Sequence, residues 1–69
     1  MPSTLAAQTR ELLRHALDDM GENLSRRRLD RLTFLCIAIW SGDEEPTGIP
    51  DPTAREAIRR AMSKMEVAA

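Results

Sequence analysis

The side chains able to do chemistry in this chain are few and scattered. His15 follows Glu11 by four residues, the spacing of a solvated ion pair along a helix and also that of a carboxylate steadying an imidazole. No nucleophile joins them, since Ser25, Ser41 and Ser63 have no neighbouring general base, and a hydroxyl without one is a weak nucleophile. Cys36 is the single cysteine. It cannot close an internal disulfide, and its place in an apolar run suits a small buried thiol in a reducing compartment. One histidine and one cysteine cannot complete a zinc site, and no Cys-x-x-Cys or carboxylate cluster at ligand spacing is present. A non-enzymatic protein without metal or cofactor is expected.

The arginines are the sharper feature. "LSRRRLDRLTFLCIAIW", residues 24 to 40, places Arg26, Arg27, Arg28 and Arg31 at the start of a segment whose last nine residues contain one polar side chain. At the start of a helix, base meets the positive end of the macrodipole and costs a few tenths of a kcal/mol per residue. Something must compensate, either the nearby acids Asp18, Asp19, Glu22 and those of the 41–52 loop, or an acidic partner. The short turn from Gly21 to Ser25 resembles the link of a helix-turn-helix, whose second helix offers its first residues to bases. A net charge of −1, a pI near 5.7 and the apolar remainder of the helix weigh against nucleic acid. Nucleic acid is therefore the alternative reading of this basic patch.

Three helix-length segments must position these residues, near 4–20, 25–41 and 52–67, with no alternation of the kind strands show. Leu5, Leu12, Leu13, Ala16, Leu17 and Met20 share one face of the first, opened by a Ser3 or Thr4 cap and closed by Gly21. Ser25 caps the second, which carries Leu29, Leu32, Leu35, Cys36, Ile39 and Trp40 on a wide face, with Phe34 and Ile37 well round from its centre. A helix apolar on several sides calls for cover on several sides, so the second helix is expected in the middle of the bundle, covered by the other two. The competing expectation leaves Phe34, Ile37 or Trp40 partly exposed to a partner. "SGDEEPTGIPDP", residues 41 to 52, is an acidic Pro/Gly loop. The third helix starts at an Asp51 cap before Pro52 or at a Thr53-to-Glu56 capping box, and Ala54, Ala57, Ile58, Ala61, Met62 and Met65 form its stripe.

The fold class is all-α, a small three-helix bundle in a single domain spanning 1–69, with oligomerisation as a route to completing its core. With 69 residues and 7.8 kDa, folding removes roughly 7,000 Å² from water. That burial contributes on the order of 100 kcal/mol, and ordering the chain costs about as much. A homodimer is a natural source of further burial. The N-terminus lacks an apolar signal-like stretch, and the run from Leu32 to Trp40 is too short for a membrane span. A cytoplasmic protein that contacts no membrane is expected.

"DDMGENLSRRRLDRLTFLC", residues 18 to 36, resembles the end of helix one and most of helix two in death-effector domains, through Gly21, Glu22, Leu24, Leu29, Leu32, Phe34, Leu35 and Cys36. The resemblance covers about a quarter of the chain. It implies a six-helix bundle that assembles homotypically, with Phe34 and Leu35 on the assembly surface. This chain departs from that pattern in having three helical segments, in lacking the family's Arg-x-Asp-Leu near its end, since Arg28-Leu29-Asp30 is followed by Arg31, and in starting helix two with arginines where the family is commonly acidic. The sequence as a whole predicts a protein-protein interaction module or regulator that binds itself or a partner through Phe34, Leu35, Ile37 and Trp40 of the second helix.

Overall fold

A helix leaves its first N–H and last C=O groups open, and this chain closes them with the residues that flank each segment. The computed structural model describes residues 4–45, 48–49 and 51–68, with α1 at Leu5–Asp19, α2 at Arg26–Trp40 and α3 at Pro52–Ala68. Ser3, the other capping candidate, and Pro46, Thr47 and Pro50 of the loop lie outside the described residues. Thr4 Oγ1 accepts the Ala7 N–H at 3.1 Å, and Ser25 Oγ accepts the Arg28 N–H at 3.3 Å. Both α1 and α2 then end on a glycine in the left-handed region, Gly21 at φ +74° and Gly42 at φ +85°. The residue after each glycine donates back into the last turn, Glu22 to the Leu17 carbonyl and Asp43 to the Ala38 carbonyl, both at 2.8 Å.

Of the two candidate starts for α3, the structure uses Asp51, whose Oδ1 accepts the Thr53 N–H at 3.0 Å. The Thr53-to-Glu56 box does not form, because Arg59 and Arg60 hold the Glu56 carboxylate at 2.6 and 3.0 Å. Their hydrogen bonds draw Glu56 down to about 2. A carboxylate depressed in this way stabilises the fold above its ordinary range, and the contribution fades as pH falls from about 4.5 towards 2.

The core joins Leu13, Ala16 and Leu17 of α1 to Leu29, Leu32, Cys36 and Ile39 of α2 and to Ala57, Ile58, Ala61 and Met65 of α3. Ile49 is also buried, so the acidic Pro/Gly loop is pinned to the core by one side chain. The radius of gyration, 11.1 Å, is what a compact chain of this length has. The three helices form a bundle in which α1 packs extensively on both others while α2 and α3 meet more sparsely. The central helix is thus α1, not α2 as its apolar composition suggested. The alanines at 16, 57 and 61 explain this, since they are all buried and small residues let helix backbones approach.

Among the described residues two threonines lie buried in this interior, and one of them is satisfied. Thr33 Oγ1 donates to the Leu29 carbonyl at 2.8 Å. Thr9 Oγ1, with its residue fully buried, has no hydrogen-bond partner among the described residues. An orphaned buried hydroxyl costs roughly 1–3 kcal/mol, whereas an apolar group of the same shape carries no such penalty. Thr9→Val should therefore raise the unfolding free energy by about 1 kcal/mol in urea titration. A loss of stability would show that the hydroxyl has a partner.

Candidate functional site

The distribution of exposure along α2 sets the candidate surface. Its inward side carries Leu29, Leu32, Thr33, Cys36 and Ile39, all buried. On the outward side, Arg27, Arg31, Phe34 and Ala38 recur at spacings of four, three and four, which aligns them along the helix. Phe34 is 71% exposed, and with Leu5 it is one of two large apolar side chains so open to solvent among the described residues. An aromatic ring in that position forgoes most of the burial that normally stabilises it.

The other expected interface residues divide around the helix. Ile37 is half-buried and stands outside the core cluster, beside Phe34. Leu35 and Trp40 are half-buried too, but both pack against the core. At about 100° per residue, six positions carry Trp40 roughly 120° away from Phe34, so Trp40 does not share the Phe34 surface. Leu35 instead lines a cleft of about 380 Å³ between α2 and the start of α3, together with Leu17, Leu24, Leu32, Ala54, Asp51 and Thr53, with Arg28 and Arg31 at its edge. Another cleft of about 310 Å³ opens between α1 and α2, lined by Phe34 with Ala6, Ala7, Arg10, Asp30 and Thr33. Ala6 and Ala7 were not anticipated as part of the site. Only the antiparallel packing of α1 on α2 brings them there, and no local pattern carries that information.

Among the described residues no ion pair joins the arginine patch to an acid, although Asp51 lines the same cleft as Arg28 and Arg31. Ion pairs among the described residues join Arg10 to Asp30, Arg14 and His15 to Glu11, and Arg59 and Arg60 to Glu56. None includes Arg26, Arg27, Arg28 or Arg31, and none includes Asp18, Asp19 or Glu22, the acids placed to neutralise them. Asp30, the one acid within the cluster, is held by Arg10 of α1 at 3.0 Å. The acids that follow α2 are equally free of cations. Asp43, Glu44 and Glu45 are exposed and form no ion pair among the described residues. Asp43 and Glu44 also direct their backbone N–H groups at the Ala38 carbonyl, at 2.8 and 3.3 Å, which ties this acidic turn to the end of the Phe34 line.

The remaining reactive groups are otherwise engaged. Glu11 is held below its usual carboxylate range, chiefly by the hydrogen bond and charge of Arg14 at 2.8 Å, while His15 Nε2 lies 3.8 Å away. Cys36 is fully buried, and desolvation pushes its thiol up to about 11. No group of three or more His, Cys, Asp or Glu among the described residues is arranged to hold a metal ion. No helix of the described residues is long and apolar enough to cross a membrane. No protein-family model matches the chain, and no curated protein or solved structure matches it either.

The two faces of α2 should respond oppositely to mutation. Phe34→Ser removes an exposed ring and should change the unfolding free energy by about 0.5 kcal/mol or less in dilute protein. Leu32→Asp buries an unpaired charge and should abolish the cooperative urea transition. A Phe34→Ser variant that unfolds like Leu32→Asp would place Phe34 in the core.

Proposed function

We propose that this protein is a non-enzymatic interaction module or regulator, and that the outward face of α2 is its protein-binding surface. The observation that carries this reading is the 71% exposure of Phe34, in line with Arg27, Arg31 and Ala38 on an otherwise well-packed helix. Aromatic residues and arginines are the types enriched where proteins bind one another. Ile37 and the cleft walled by Ala6 and Ala7 extend the apolar part of the surface. The resemblance of residues 18–36 to death-effector domains supports the same helix, since Phe34 stands at a position that contributes to assembly in that family. Leu35, its neighbour in that motif, sits on the α2–α3 side and is assigned a packing role.

Nucleic acid is the second reading, favoured by the absence of any ion pair among the described residues at Arg26, Arg27, Arg28 and Arg31. An exposed phenylalanine within the same face and an acidic turn at the other end of the same helix favour protein. Replacing Phe34 by a photo-cross-linking phenylalanine analogue in cells that make the protein separates the two. Protein adducts from position 34, with none from exposed Ser63 on α3, are the expected outcome. Adducts to nucleic acid alone would transfer the function to the second reading, and no adduct at all would overturn the surface.

A further inference from the structure

Helix α2 carries its charges in the reverse of the order its own dipole favours, at both ends. Its first turn holds Arg26, Arg27 and Arg28 with no acid, its last turn holds no base, and Asp43, Glu44 and Glu45 follow directly. Positive charge therefore sits at the positive end of the macrodipole and negative charge at the negative end. One such cluster is an ordinary surface feature. Two opposite ones, neither in an ion pair among the described residues, one on the first turn of α2 and one just past its end with an exposed phenylalanine between them, make a surface complementary to itself when reversed.

We infer that the occupant of the α2 face is a second copy of this chain, docked antiparallel about a two-fold axis that passes between Phe34 and Ala38. This rests on the reading of that face as a protein-binding surface and names its partner. The helix is about 22 Å long, and the axis lies near midway between the arginine cluster and the acidic turn. Reversal about it lays the arginines of each copy against Asp43, Glu44 and Glu45 of the other. Phe34 of one copy then meets Ala38 of the other, a large side chain against a small one, in both halves. The Asp43 and Glu44 N–H bonds to the Ala38 carbonyl hold the acidic turn close enough to this line to take part. Antiparallel pairing also sets the two helix dipoles head to tail, so each charge cluster meets both an opposite cluster and an opposite helix end. An isologous contact of this kind closes on itself and stops at two chains.

Charge reversal at each end gives the test. Arg26→Glu with Arg27→Glu and Arg28→Glu makes both ends of α2 acidic, and Asp43→Lys with Glu44→Lys and Glu45→Lys makes both ends basic. Each set puts at its helix end the charge that the dipole favours, so both variants should fold, as circular dichroism at low concentration checks. In sedimentation equilibrium the wild type should be a dimer at high micromolar concentration. Each variant alone should dissociate about tenfold more readily or worse, since like charges then face one another. Mixed one to one, the two should form a heterodimer, because both junctions are again opposite in sign.

A wild type that stays monomeric, or a mixture that fails to associate, overturns the second copy as partner. Cross-linking from position 34 to a different protein, with the wild type monomeric, overturns it too while leaving the α2 face as a binding surface. Loss of every protein adduct from position 34 removes the surface itself.

Discussion

One apolar stripe on α1 has to serve two partner helices, and the rest of the structure follows from that constraint. Leu13, Ala16 and Leu17 are buried between α2 and α3, and the small side chains at 16, 57 and 61 bring α1 and α3 close. Once α1 occupies the middle, α2 has a neighbour on its inward side only. Its second apolar group then lies outside the core, with Phe34 71% exposed and Ile37 half-buried. The surface is a consequence of the packing order.

The electrostatics of α2 gives that surface a direction. Surface charge usually serves solubility, and scattered exposed pairs such as Arg14 with Glu11 stabilise by at most about 1 kcal/mol. The arginines at the start of α2 are different, because their position opposes the helix dipole and Asp30, the acid nearest in sequence, is engaged by Arg10. The acids past Gly42 oppose the dipole at the other end. A helix with the same composition and the two clusters exchanged would be more stable alone. In the proposed dimer, a reversed copy of the same helix supplies what each end lacks.

Much of the fold was legible in the residues themselves. Period, capping side chains and glycine stops are local signals, and they located α1, α2 and α3 to within a residue or two, including the Ser25 cap, Thr4 as one of two candidate caps of α1, and the left-handed Gly21. Packing order was not legible, since it depends on which stripes fit most closely in three dimensions. This is why α2 rather than α1 was expected at the centre, and why Ile49 within a polar loop was not expected in the core. The candidate site divides on the same line. Phe34 and Ile37 stood apart by helical angle alone, whereas Leu35 and Trp40 share the apolar composition of α2 but lean on the core. The freedom of the arginines from Asp18, Asp19 and Glu22 is a matter of distances between elements, which spacing along the chain does not encode.

The most direct measurement of the central claim is a dilution series followed by amide nuclear magnetic resonance. A two-fold contact through the outward face of α2 predicts that the signals of Arg27, Arg31, Phe34, Ala38 and the Asp43–Glu45 turn move together as the protein is diluted. Those of the buried α1–α3 packing, Leu13 and Ala61 among them, should stay in place. Shifts centred on α3, or a spectrum that does not change with concentration, would contradict the account.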